Sequence, residues 1–154
     1  PHVFGGGQER GLRSGTESAP LIGAFGEAAG LLPDPREALG KVGALNALLR
    51  EKLRELPDVT VHSPEDGLPY VLNFSAGAVR GETMLHFLAQ RQVYVSSGSA
   101  CGKAKPSHVL EAMGLPPRQV SSALRASFSR FSTREDVEAL AQGLQEGLER
   151  LARG

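Results

Sequence analysis

LRASFSRFSTREDVEALAQGLQEGLERL, residues 124–151, joins a strand pattern to a helix pattern. Leu124, Ala126 and Phe128 alternate with other residues, which predicts a β-strand with one apolar face. Thr133 then stands at the N-cap position of a helix. The helix carries an apolar stripe at helical spacing: Val137, Leu140, Ala141, Leu144, Leu148 and Leu151. A strand and a helix that each have one apolar face predict a sheet covered by helices.

The chain before residue 124 mixes helices with short strands. An early helix capped by Ser14 or Thr16 is expected, and Asp34 followed by Pro35 predicts a long second helix that ends at Pro57. Further along, we predict strands at 59–62, 70–74 and 93–95 and helices at 81–91 and 107–113. This order predicts an α+β domain with a small, mainly antiparallel sheet, helices packed on one face, and a long helix before it.

Composition narrows the class of protein. The chain has 154 residues, enough for one domain with a core, and 17 basic residues balance 17 acidic ones. This balance argues against nucleic-acid binding and against binding to anionic membranes. No apolar run approaches a membrane span, and one cysteine cannot form an internal disulfide. We therefore expect a cytoplasmic protein, and the glycine-rich start without a Met suggests that the N-terminus is a cut edge.

Cys101 is the one cysteine, in the segment VSSGSACGKAKPSH, residues 95–108. A lone cysteine is usually a small buried hydrophobe. Here its neighbours are serines and glycines that supply no apolar wall. Lys103 and Lys105 could stabilise a thiolate, or could be solvated surface residues. An exposed thiol in a flexible loop favours the interpretation of Cys101 as a nucleophile.

A glycine-rich loop, GGGQERGLRSGT, occupies residues 5–16. Such loops before helices often bind phosphate, although this spacing matches neither common nucleotide-binding motif. The loop is either a tight connection or a phosphate site. In a phosphate site, the hydroxyl of Ser14 or Thr16 would act with Arg10 or Arg13.

Arg125 points away from the apolar face of the predicted strand. It is either a solvated arginine or a guanidinium held on a rigid strand, which suits bidentate binding of a carboxylate. The four histidines show no metal-ligand spacing, so no metal site is expected. We interpret His62 and His86 as structural, and His108 as a weak candidate base for Cys101.

Together, GGGQERGLRSGT, VSSGSAC and LRASFSRFST resemble, in this order, the C-terminal part of the cysteine desulfurases. These are pyridoxal-phosphate enzymes of the class V aminotransferase group, with the fold-type I transferase fold. The serine-rich cysteine motif is similar to the subgroup with a long mobile loop. The resemblance implies that residues 1–32 contain the end of the large cofactor-binding domain and the start of the linking helices. Residues 33–154 would form the small C-terminal domain, which carries the cysteine loop.

The resemblance also implies a role for each motif. Cys101 would attack the sulfur of L-cysteine, leaving L-alanine and an enzyme persulfide for a sulfur acceptor such as an iron–sulfur scaffold. Arg125 would hold the substrate carboxylate. Thr16 would reach the cofactor phosphate of the neighbouring subunit in a homodimer.

The family's Schiff-base lysine lies upstream of the glycine-rich loop in a His-Lys context. Lys41, Lys52, Lys103 and Lys105 have other surroundings, so we expect the chain alone to be inactive. Another class V aminotransferase or a selenocysteine lyase fits the same fold. A cofactor-free sulfur carrier, a thiol-redox module and an interaction domain are alternatives of other classes.

Overall fold

A computed structural model describes residues 1–97 and 107–151, so Cys101 lies outside the described residues. The chain divides into two compact units, Pro1–Pro35 and Arg36–Gly154. The prediction of a boundary at residue 33 rests on the resemblance and stays a prediction.

The first unit is a folded-back loop followed by a helix. The backbone of Val3 forms a parallel bridge with Arg13, and a short 3-10 turn occupies Gln8–Gly11. Helix α1 spans Ala19–Gly30. It begins after Ser18, with Pro20 in its first turn, so the prediction that Ser14 or Thr16 caps this helix is wrong.

The second unit contains a three-stranded antiparallel sheet in the order β1-β2-β3. Its strands are β1 (Val59–Val61), β2 (Val71–Ala76) and β3 (Ala123–Ser127). Its helices are α2 (Pro35–Glu55), α3 (Gly81–Ala89), α4 (His108–Ala112), α5 (Pro117–Ser121) and α6 (Arg134–Leu151). The predicted α+β class and antiparallel sheet are confirmed.

One face of the sheet carries the main core. Leu72 and Phe74 of β2 and Leu124 of β3 are fully buried because alternate strand residues share a face. Helices α2, α3 and α6 cover this face with Leu45, Leu49, Leu53, Met84, Leu88, Val137, Leu140 and Leu144. The apolar stripes predicted for these helices therefore form one core.

Helices α4 and α5 pack elsewhere and build a second, smaller cluster. Leu110 of α4 and Val120 of α5 pack with Ala123 at the start of β3. Ala123 precedes the core residue Leu124, so it belongs to the other face of the sheet. The beginning of that face is thus covered by α4 and α5, and α5 was not predicted.

The segment 93–95 differs from its prediction as a buried strand. Its residues form no strand, and the backbone of Val93 donates to Leu88 O at 3.1 Å instead. Pairing with the sheet begins one residue later, where Ser96 forms an isolated antiparallel bridge with Arg125. Among the described helices, none is long and apolar enough to cross a membrane.

Candidate functional site

Arg125 lies in β3 with its side chain exposed on the face opposite the core. Its backbone N–H donates to Ser96 O at 2.7 Å, and the N–H of Ser96 donates to Arg125 O at 3.1 Å. The strand therefore fixes the backbone of Arg125 and leaves its guanidinium accessible to a ligand.

The segment that contains Cys101 leaves and rejoins the described structure close to β3. On one side, Ser96 is paired with Arg125. On the other, the Ser107 hydroxyl caps α4 by accepting from the N–H of Leu110, which packs near the start of β3. The described residues on both sides of this segment are therefore attached to β3, one by backbone pairing and the other through a helix packed against it.

Two of the candidate phosphate ligands in the glycine-rich loop, Ser14 and Arg13, already have partners. The Ser14 hydroxyl is buried and donates to Gly6 O at 2.6 Å. Arg13 donates to Gly15 O at 2.7 Å and lies 3.9 and 4.0 Å from the carboxylates of Glu9 and Glu17. Both groups are thus used within the loop.

Two of the candidate ligands remain available in this loop. Thr16 is exposed and follows Gly15, whose φ of +113° is accessible to glycine. Arg10 is also exposed. An exposed hydroxyl and an exposed guanidinium are donors suited to a phosphate group.

A partly buried chain of hydrogen bonds lies on the same face of the sheet as Arg125. His62 Nε2 lies 2.6 Å from Ser75 Oγ, and the Ser75 hydroxyl donates to Gln119 O at 2.6 Å. Because the single hydroxyl proton goes to Gln119, Nε2 of His62 must carry its own proton and donate it to Ser75. Burial lowers the pKa of His62. These contacts favour the structural interpretation of this histidine.

Sequence reasoning missed Asn73, which the structure brings next to Arg125. The two residues are direct partners in the β2–β3 pairing. In the sequence, Asn73 is only a polar residue in an apolar strand, and nothing indicates which residue it faces. The register of the sheet is needed to find it.

The remaining candidates are hydrogen-bonded elsewhere, exposed, or outside the described residues. Lys41 Nζ donates to Arg130 O at 2.7 Å, so this ammonium group already has a partner. His108 is exposed at the first residue of α4. Lys103 and Lys105 lie outside the described residues. Within residues 1–97 and 107–151, no group of His, Cys, Asp and Glu could hold a metal ion.

Comparison with curated proteins identifies relatives along most of this chain. It is 37% identical to a NifS/IcsS protein homolog of Lactobacillus delbrueckii subsp. bulgaricus, over 95% of this chain and 39% of that protein. It is 39% identical to the mitochondrial cysteine desulfurase of Saccharomyces cerevisiae, over 95% of this chain and 30% of the relative. The chain thus spans about two fifths or less of the length of these relatives.

Solved structures agree with the fold. A NifS-like protein from Rickettsia africae superposes with a TM-score of 0.76 at 32% identity, covering 95% of this chain and 39% of that one. A second NifS-like protein superposes with a TM-score of 0.76 at 33% identity, covering 97% of this chain and 39% of that one. The family model described as Aminotransferase class-V matches residues 5–140. The chain therefore belongs to the class V aminotransferase family.

Proposed function

We propose that this chain is the C-terminal part of a pyridoxal-phosphate-dependent cysteine desulfurase. The enzyme would convert L-cysteine to L-alanine and store the sulfur on Cys101 as a persulfide. The observation that carries the proposal is the bridge between Ser96 and Arg125. It ties the segment with the candidate nucleophile to the strand with the candidate carboxylate ligand.

Arg125 would bind the substrate carboxylate. A guanidinium presents a planar set of N–H donors that matches the two oxygens of a carboxylate. Because β3 is held between β2 and Ser96, the backbone of this arginine is fixed before substrate arrives. Fixing it in advance reduces the conformational entropy lost on binding.

Thr16 and Arg10 fit the phosphate group of the cofactor. Both side chains are exposed, whereas the Ser14 hydroxyl is committed to Gly6. Pyridoxal phosphate, when bound, supplies an electron sink for bonds around the substrate's α-carbon. We assign Thr16 to the phosphate in the neighbouring subunit of a homodimer, following the resemblance of the loop that contains it.

Cys101 would act as the nucleophile. Its thiolate attacks the sulfur of the bound cysteine, so that a sulfur–sulfur bond forms while the carbon–sulfur bond breaks. The carbon keeps the electron pair and is protonated, which yields alanine. One cysteine and one enzyme thiol therefore give one alanine and one enzyme persulfide, with no external oxidant.

The persulfide would pass to an acceptor protein, such as an iron–sulfur scaffold. Transfer of this kind needs a thiol that is not locked in a disulfide. We place the enzyme in the cytoplasm, where reducing conditions keep a lone cysteine in the thiol form.

The test uses the whole protein loaded with pyridoxal phosphate. Cys101→Ser is expected to abolish formation of alanine from L-cysteine, because a hydroxyl cannot accept the sulfur as a persulfide. Mass spectrometry of the unsubstituted protein after cysteine addition should show one added sulfur atom on the peptide that contains Cys101. Absorbance of the bound cofactor should be unchanged by the substitution.

Glu111→Gln is the matched control, because this exposed side chain on α4 lies near the same segment without a role in the proposal. It should retain full turnover. Alanine formation that survives Cys101→Ser would contradict the proposal and favour another class V activity. A persulfide that forms on the cofactor-free whole protein from an added persulfide donor would favour a sulfur carrier.

A further inference from the structure

Asn73 carries an acceptor with an unsatisfied hydrogen-bonding requirement. Its side-chain oxygen, Oδ1, is enclosed and receives no hydrogen bond from the described part of the chain. Buried polar atoms nearly always have a partner, because water no longer solvates them. An N–H donor is therefore expected to reach this oxygen in some state of the protein.

The backbone around Asn73 shows which donor is nearest. Asn73 O accepts from the N–H of His62 at 2.9 Å, and its own N–H donates to Ser63 Oγ at 2.9 Å, both on the β1 side. Arg125 uses its N–H and carbonyl on the opposite side, toward Ser96. Asn73 and Arg125 are thus partners without backbone hydrogen bonds between them.

Such a pair brings its side chains closer than a hydrogen-bonded pair does. The Cβ atoms of directly opposite residues are about 4.5–5.5 Å apart. Asn73 and Arg125 both alternate with core residues, so their side chains leave the sheet on the same face. The side chain of Arg125 therefore leaves the sheet next to that of Asn73 and is long enough for its guanidinium to reach Oδ1.

The two residues of β2 that share this face with Asn73 offer its Oδ1 no donor. Ser75 gives its hydroxyl proton to Gln119 O, and Val71 at the other end of β2 has no side-chain donor. Arginine has five N–H groups, so it can serve a neighbour and still present two to a carboxylate. Arg125 therefore matches the requirement of Asn73 without losing its proposed role.

We propose that Asn73 is a positioning residue for Arg125. Its Oδ1 accepts one guanidinium N–H when substrate binds, which fixes the remaining N–H groups toward the substrate carboxylate. This inference rests on the proposed function, because it assumes that Arg125 binds that carboxylate. Asn73 itself would not touch the substrate.

The experiment measures kcat and KM for L-cysteine in the whole, cofactor-loaded protein with Asn73→Leu. Leucine has a similar size and no acceptor. KM should rise about tenfold, the effect of losing one hydrogen bond to a charged group. The kcat at saturating cysteine should change much less, because the lost interaction is one of binding. The melting temperature should not fall, since an apolar group replaces an unpaired polar atom.

Arg125→Ala and the double variant complete a thermodynamic cycle. If Asn73 acts through Arg125, Asn73→Leu should raise KM in the protein that keeps Arg125. The same substitution should have no further effect on KM in the Arg125→Ala variant. Val71→Ala is the matched control on the same strand and face, and it should leave KM unchanged.

The outcomes separate the two proposals. If Arg125→Ala raises KM but Asn73→Leu does not, the positioning role is wrong and the proposed function stands. An equal effect of Asn73→Leu with and without Arg125 also overturns the positioning role. If Arg125→Ala leaves KM unchanged, the assignment of the carboxylate ligand is itself wrong. Asn73→Ala should repeat the result if the leucine variant fails to fold.

Discussion

His62 shows how one partly buried side chain can link stability to pH. Its Nε2 donates to Ser75, which is 1% exposed, and burial lowers the pKa of the imidazole from its ordinary value of 6.5. The unfolded chain therefore binds the proton more readily than the folded one. The free energy of unfolding therefore decreases, through His62, as the pH falls below 6.5, and this contribution does not change above that pH.

We expect His62→Gln to reduce this loss, because glutamine does not titrate. Urea denaturation between about pH 7.5 and pH 5.5 should show a smaller decrease in the free energy of unfolding for the variant. His86→Gln is the control, because His86 is exposed on α3. The explanation fails if His62→Gln keeps the full pH dependence or if His86→Gln removes it.

Helix α3 approaches β3 so closely that one position requires glycine. A Cβ added at Gly81 would lie 2.6 Å from the carbonyl oxygen of Ala123, and a backbone atom cannot turn aside as a side chain can. Gly81→Ala must therefore push the start of α3 away from the strand that carries Arg125. Overpacking of this kind typically costs about 1–3 kcal/mol.

Gly40→Ala provides the matched comparison in α2. Apart from the helix's own nearby backbone, no atom of the described residues lies within 4 Å of a Cβ at this exposed position, so alanine should stabilise the helix by about 0.5–1 kcal/mol. Denaturant unfolding of both variants should give effects of opposite sign. Equal effects would mean that the contact with Ala123 does not decide the cost at Gly81.

Periodicity predicted the elements that carry an apolar face. The helix after Thr133 is confirmed, with a reciprocal cap in which the Thr133 hydroxyl accepts from the N–H of Asp136 and the Asp136 carboxylate accepts from the N–H of Thr133. The prediction of a strand at 93–95 was wrong because short apolar runs also occur in loops. Helix α5 was missed because Pro116 and Pro117, at its N-cap and first position, suggest a turn.

The site was less predictable than the elements. Arg125 could be placed on a strand from alternation alone, and the structure confirms its exposed face. Its neighbours Asn73 and Ser96 are far away in sequence, and only pairing between distant segments brings them together. The role of Cys101 stays a prediction, because that residue lies outside the described ones.

At the scale of the whole molecule, the second unit carries its own core. Buried apolar side chains begin at Val42, and those of the main cluster all come from α2 onward. The first unit has its own backbone contacts, such as the hydrogen bond from the N–H of His2 to Leu12 O at 2.8 Å. The second unit therefore has an apolar core of its own and can be tested by itself.

We expect a chain of residues 33–154 to unfold cooperatively, with a melting temperature close to that of residues 1–154. Circular dichroism during heating measures this directly. Leu49→Ala, at a fully buried position of α2, should destabilise both chains by about 2–5 kcal/mol because both share the same core. If residues 33–154 melt without a cooperative transition, or if Leu49→Ala affects only the longer chain, the core of the second unit is not self-sufficient.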